Sequence, residues 1–230
     1  MTTIGARLQA VRDRIAAAAV AAGRTAQGIV LVAVSKTFAP DLVREAYAAG
    51  QRAFGENHLQ EAAAKIDALR DLDLEWHFIG PVQSNKTRPI AERFAWVHSV
   101  DRLKIAQRLS EARPAHLPPL QVCLQVNVSG EASKSGVAPE EAPALAAQIA
   151  RLPRLRLRGL MTIPEPAPEG DLQRARFRAL RALKERIAAA GIPLDTLSMG
   201  MSDDLEAAVA EGATLVRVGR AIFGERSRRR

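Results

Sequence analysis

Long hydrophobic runs are missing from this sequence of 230 residues, and no apolar stretch approaches the roughly 20 residues needed to cross a bilayer as a helix. Cysteine occurs once, in Val122-Cys123-Leu124, which excludes an internal disulfide and places a buried thiol in a predicted strand. Aromatic residues make up 4% and include a single tyrosine, Tyr47, so little is available for stacking on nucleic-acid bases. The four histidines, His58, His77, His98 and His116, show no metal-ligand spacing. No Gly-x-Gly-x-x-Gly loop and no Walker-type phosphate loop is present. The N-terminus lacks the layout of a signal peptide, because Arg7, Arg12, Asp13 and Arg14 interrupt an alanine-rich amphipathic stretch. A cytoplasmic protein fits these absences.

What is present is ordinary for a globular chain able to bury a substantial core: 47% hydrophobic and 25% charged residues. The net charge of +8 draws half its value from four arginines in the last five positions, Arg226, Arg228, Arg229 and Arg230. Residues 226–230 therefore read as a basic, disordered tail. With that tail set aside, neither a nucleic-acid partner nor a membrane partner is expected.

Residues 4–22 read as an amphipathic helix ending near Gly23. Beyond it, apolar strand-like runs near 29–35, 52–55, 75–79, 95–99, 120–128, 155–161, 194–198 and 213–218 alternate with helical patterns near 40–49, 57–69, 85–93, 101–111, 139–151, 171–190 and 202–211. Ser202-Asp203-Asp204 supplies cap-type residues and negative charge to open the last of these helices. Eight strands alternating with helices predict an α/β fold, a single (β/α)₈ TIM barrel over residues 1–230 with an extra N-terminal helix and no C-terminal β-domain. An open doubly wound sheet is the competing architecture. The proline-rich run Ile163-Pro164-Glu165-Pro166-Ala167-Pro168 reads as a semi-rigid rim loop rather than a domain linker.

A barrel of this kind places its functional groups at the C-terminal ends of the strands. Lys36 closes the apolar run Ile29 to Ser35, and only six of the 33 basic residues are lysines. An amine at the end of a buried strand meets surroundings that disfavour its charged form. A neutral amine is a nucleophile suited to imine formation with an aldehyde; a lysine that simply snorkels to solvent is the plainer alternative. Asn57 follows strand two, His77 falls in strand three, Asn127 lies near the end of strand five and Ser198 follows strand seven. Arg217, Gly219 and Arg220 end strand eight. Ser198, the backbone at Gly219 and a short helix over Arg220-Ala221-Ile222-Phe223 suit a phosphate. An equally open reading makes Gly219 and Gly224 turn residues and Ser198 a cap. Arg217, flanked by Val216 and Val218, is expected to point into the barrel, where it needs an acceptor.

Taken together, Val32-Ala33-Val34-Ser35-Lys36-Thr37, Phe54-Gly55-Glu56-Asn57, Trp76-His77-Phe78-Ile79-Gly80 and Gln83-Ser84-Asn85-Lys86 resemble the pyridoxal phosphate homeostasis protein family, whose fold is like the N-terminal barrel of alanine racemase. The resemblance continues through Gln125-Val126-Asn127-Val128-Ser129-Gly130-Glu131, Ser133-Lys134-Ser135-Gly136, Gly159-Leu160-Met161-Thr162, Leu197 to Asp204 and Val216 to Gly224, nearly the whole chain in order. It implies a non-enzymatic binder of pyridoxal 5'-phosphate (PLP) that acts in intracellular vitamin B6 homeostasis. Lys36 would form the imine, Arg217 would contact the pyridine nitrogen and Asn57 would line the ring pocket. Ser198, Gly219 and Arg220 would hold the phosphate, Arg220 through its backbone because its side chain stands where a small residue such as threonine is expected. Lys134 is a candidate for cofactor transfer. The implied partners are PLP itself and PLP-dependent apoenzymes, with the protein acting as a monomer. The alternative is a racemase-like PLP enzyme, against which stand the expected lack of a β-domain and the lack of a second tyrosine-type base.

Overall fold

Eight short parallel strands carry the architecture: β1 (Val30–Val34), β2 (Ala53–Glu56), β3 (Glu75–Phe78), β4 (Trp96–Val100), β5 (Leu120–Gln125), β6 (Leu155–Met161), β7 (Thr196–Ser198) and β8 (Leu215–Val218). Each pairs with its neighbour in sequence, and β1 closes on β8 with Val32 opposite Arg217, so the sheet is a closed barrel and not an open doubly wound one. The computed structural model describes residues 2–131, 135–165 and 170–225. Lys134, the tail 226–230 and part of the proline-rich loop lie outside the described residues.

The helices are α1 (Ile4–Ala21), α2 (Pro40–Ala48), α3 (Leu59–Ala68), α4 (Thr87–Arg93), α5 (Leu103–Ala112), α6 (Ala142–Ile149), α7 (Gly170–Ala189), α8 (Leu205–Ala210) and the single-turn α9 (Arg220–Phe223). α1 is the extra N-terminal helix. The Thr3 hydroxyl accepts from the Ala6 N–H at 3.2 Å to cap it, and Ile4, Leu8, Val11 and Ile15 form its buried stripe. That stripe packs toward α2, α8 and α9.

Strand alternation divides the core in two. Ala33, Phe54, Val97, Val122, Leu160 and Val216 face outward and join the apolar faces of the surrounding helices. Val32, Ala53, Trp96, Cys123, Met161 and Leu215 form a separate, smaller cluster inside the barrel. β4 is buried at all five positions, as a strand covered on both faces must be. Cys123 sits in the inner cluster, where burial pushes its thiol up to about 12.

Several boundaries differ from the sequence expectation, and two of the differences have a visible cause. β5 ends at Gln125 rather than 128, because Asn127 forms a turn: its Oδ1 accepts from Gly130 N–H at 3.1 Å and its Nδ2 donates to Glu131 O at 2.8 Å. α8 begins at Leu205 rather than 202. The acids before it do not cap it: the Asp204 carboxylate accepts from Met201 N–H at 2.6 Å, and Asp203 accepts from the Arg220 guanidinium at 2.5 Å.

Candidate functional site

A cavity of about 580 Å³ opens at the C-terminal ends of the strands, within the range that small-molecule sites occupy. Lys36 enters it from the end of β1, Asn57 from the end of β2, Gly80 and Pro81 from the exit of β3, Ile163 from beyond β6, and Met201, Ser202 and Asp203 from the loop after β7. Arg217, Gly219 and Arg220 complete the wall from β8 and α9. Of the sequence candidates, Lys36, Asn57, Arg217, Gly219 and Arg220 therefore converge on one cavity. Asn57 also carries a buried Oδ1 for which no hydrogen-bond partner exists among the described residues. A buried acceptor of that kind marks a place where a ligand can donate.

Ser198 does not line this cavity. It is fully buried inside the barrel, where its Oγ lies 2.6 Å from Arg217 Nη1 and 2.7 Å from His98 Nδ1. The serine that lines the cavity is Ser202, four residues on in the loop. Asn127 is committed to its own turn, and His77 lies within the barrel against Trp96, with ring centroids 5.5 Å apart. Gly219 lines the cavity, but its missing side chain serves a different contact from the one expected. A Cβ there would stand 3.0 Å from the Val34 carbonyl oxygen, so the bare Cα lets β8 exit close against β1.

Arg217 is 3% exposed and faces inward, as its flanking valines predict. Besides Ser198 it donates from Nη2 to Thr162 O at 3.0 Å. Burial pulls its pKa down to about 10, which leaves it charged at neutral pH. Arg220 is instead an exposed residue at the rim, tied to Asp203.

The backbone that aims Lys36 is clamped from below by charges that the sequence does not advertise. Lys65 in α3 is 3% exposed, and its Nζ donates to Ser35 O at 2.7 Å, Glu56 Oε1 at 2.6 Å and Glu61 Oε1 at 3.1 Å. The Ser35 hydroxyl donates to the same Glu56 oxygen at 2.6 Å. Burial holds the Glu56 carboxyl above its usual range, opposed by Lys65 and Ser35. Glu61 also accepts from the Thr37 N–H at 2.5 Å. Thr37 has φ of 71°, a left-handed conformation that costs a β-branched residue energy and is maintained only where neighbours over-determine it. Phe38 then stacks on Phe223 of α9, centroids 5.1 Å apart, joining the Lys36 turn to the helix that follows the neighbouring strand β8.

Comparison with known proteins identifies the family. The family model for the alanine racemase N-terminal domain matches residues 7–227. The pyridoxal phosphate homeostasis protein of Pseudomonas aeruginosa is 65% identical over 226 residues, spanning 98% of this chain and 97% of that protein. PipY of Synechococcus elongatus, solved with PLP bound, is 39% identical with a TM-score of 0.84 over 96% of this chain and 100% of its own. Alanine racemase from Corynebacterium glutamicum, 21% identical with a TM-score of 0.67, shares the fold across 95% of this chain and 61% of its own. This chain belongs to the alanine racemase N-terminal domain family and, within it, to the pyridoxal phosphate homeostasis proteins.

Proposed function

We propose that this protein binds PLP in the cavity at the C-terminal end of its barrel, covalently through Lys36, and serves PLP homeostasis as a binder and not as an enzyme. The observation that carries this reading is the single cavity in which a primary amine, a buried guanidinium and an anion-suited loop meet. Bound there, PLP supplies an aldehyde that condenses with a primary amine. Lys36 provides that amine, from a turn locked by Lys65, Glu56 and Glu61. Arg217 would hold the ring nitrogen and, because a guanidinium only donates, would favour that nitrogen unprotonated. Asn57 would line the ring pocket, its amide beside the ring's polar edge. For the phosphate, the Ser202 hydroxyl takes the role that the sequence alone gave to Ser198, with backbone N–H groups of the first turn of α9 alongside. Ser198 instead holds Arg217.

An unprotonated ring nitrogen is a poorer electron sink, which favours holding PLP over carbanion chemistry. A two-base racemase would also need a second acid/base facing Lys36. The one tyrosine, Tyr47, lies in α2 with the Arg52 guanidinium 3.9 Å over its ring, at the opposite end of the barrel. Action in the cytoplasm, as a monomer delivering PLP to apoenzymes, belongs to this proposal. Among the described residues no helix is long and apolar enough to cross a membrane.

The test is titration of PLP and pyridoxal against the unmutated protein and Ser202→Ala. A charge-assisted hydrogen bond contributes about 1.5–3 kcal/mol, so pyridoxal, which lacks the phosphate, should bind orders of magnitude more weakly. Ser202→Ala should weaken PLP about tenfold and leave pyridoxal unchanged. Equal affinities of the unmutated protein for the two ligands would overturn the phosphate assignment.

A further inference from the structure

Four hydrogen bonds inside the barrel join end to end. Arg217 Nη1 lies 2.6 Å from Ser198 Oγ, Ser198 Oγ 2.7 Å from His98 Nδ1, His98 Nε2 2.8 Å from His77 Nδ1, and His77 Nε2 2.9 Å from Glu75 Oε1. These residues stand on β8, β7, β4 and β3, so the chain of bonds crosses the barrel interior. Four of the five side chains are buried to 3% exposure or less, while the Glu75 side chain is 49% exposed. Glu75 opens into a second cavity, of about 510 Å³, beside Arg12, Gln51 and Arg52 at the N-terminal end of the strands.

With both imidazoles neutral, as their burial favours, the two ends fix every proton between them. A guanidinium can only donate and a carboxylate can only accept. Ser198 therefore accepts from Arg217 and gives its own proton to His98 Nδ1. His98 must then carry its proton on Nε2 and donate to His77 Nδ1, and His77 must carry its proton on Nε2 and donate to Glu75. For two neutral rings any other placement sets two lone pairs or two hydrogens face to face, whereas a cationic ring would donate from both nitrogens with Ser198 accepting twice. Both imidazoles are neutral in this arrangement, and burial lowers the pKa of each, that of His98 helped by His77 and Arg217. Glu75 is faced by His77, Trp96 and Arg158, and its carboxyl is held below its usual range chiefly by the His77 hydrogen bond. No carboxylate pairs directly with Arg217 among the described residues. Asp204 acts on it through charge alone, and the relay adds a hydrogen-bonded link to a second carboxylate, Glu75; a buried charge without compensation is costly.

We propose that Ser198, His98, His77 and Glu75 are positioning residues for Arg217. They form a one-way relay that fixes its guanidinium in the cavity floor and ties it to a carboxylate at the opposite end of the barrel. Glu75, remote from the cavity, is thereby a determinant of how tightly the ring end of the site holds its ligand. The proposal deepens the PLP reading and depends on it only for the ligand measurement.

Two measurements test it. In the ligand-free protein, nitrogen-15 NMR at pH 7 should show His77 and His98 as neutral tautomers protonated on Nε2. Either ring protonated on Nδ1, or cationic, overturns the relay whatever the ligand. The second measurement compares PLP affinity in Glu75→Leu and Glu75→Gln, both at a half-exposed position. Leucine removes the terminal acceptor and should weaken PLP about fivefold, whereas the glutamine oxygen still accepts from His77 and should restore most of that loss. Asp71→Asn, which breaks a surface pair with Arg44, is the control and should change nothing. Leucine and glutamine variants that behave alike, whether both weakened or both unchanged, overturn the coupling. If the unmutated protein forms no lysine-linked chromophore with PLP, the functional reading fails while the tautomer measurement still decides the relay.

Discussion

Replacing Lys65 by methionine keeps the shape of the side chain and removes the charge that anchors the Lys36 turn. In the native protein the ammonium faces three oxygens, and its partner Glu56 is fully buried. After the substitution Glu56 Oε1 keeps only the Ser35 hydroxyl, and Oε2 already lacks a hydrogen-bond partner among the described residues. Removing one member of a buried pair costs about 3–5 kcal/mol. For a protein of this size each kcal/mol moves the melting midpoint by about 2–4 °C, so a drop of about 6–20 °C is expected at pH 8. The loss should depend on pH in a definite sense. Burial already raises the Glu56 pKa, and losing Lys65 removes the main opposing influence. A carboxyl whose folded pKa is raised keeps, in the folded state, a proton that the unfolded chain has released. The variant's deficit is therefore smallest near or below the unfolded value of about 4.3 and grows as pH rises through the folded pKa. Thermal melts of variant and unmutated protein at pH 5 and pH 8 measure this directly. Adding Glu56→Leu to Lys65→Met should recover much of the stability, since exchanging both partners for apolar groups is often neutral. A cost below about 1 kcal/mol at pH 8, typical of exposed pairs, would refute the reasoning, as would an equal cost at both pH values.

Gly159→Ala should destabilise the barrel severely, because its Cβ would stand 1.8 Å from the Thr196 carbonyl oxygen, where β6 meets β7; circular-dichroism melts check it. The purified protein loaded with PLP should show no useful racemisation or decarboxylation of common amino acids, and turnover in the usual enzyme range of about 1–10³ s⁻¹ would overturn the binder reading.

The barrel was readable because its signal is local. Eight short apolar runs separated by amphipathic stretches at this length leave few alternatives, and Val216-Arg217-Val218 alone turns the arginine inward. Lys36 was readable for the same reason, as the polar residue that ends a buried strand. The placing of Ser198 was harder to read, because β7 is only three residues long and the loop after it carries a second serine. Nothing in Leu197-Ser198-Met199-Gly200-Met201-Ser202 says which serine lines the cavity, which depends on the fold and on the acceptors that Arg217 needs. Lys65 gave no signal, since on an amphipathic helix it looks like any solvated lysine until α3 packs against the end of β2. Arg113 is a similar case: its guanidinium is buried where it donates to Ala91 O at 2.6 Å and Phe94 O at 2.8 Å near the end of α4, contacts made across about twenty residues of chain. His77 and His98 did carry a usable signal. His77 lies between the outward-facing Trp76 and Phe78, and His98 follows the outward-facing Val97, so both share the inward parity of Arg217, but their connection to one another is a property of the closed barrel.

The central claim is that Lys36 makes the covalent bond to PLP. Borohydride reduction of the loaded protein followed by peptide mapping tests it most directly, because reduction makes the linkage permanent at whichever amine formed it. The account predicts the label on Lys36, together with loss of visible absorption in a Lys36→Ala variant that melts at nearly the same temperature as the unmutated protein. A label found chiefly on Lys65, Lys86 or Lys134, or visible absorption that survives in Lys36→Ala, would contradict it.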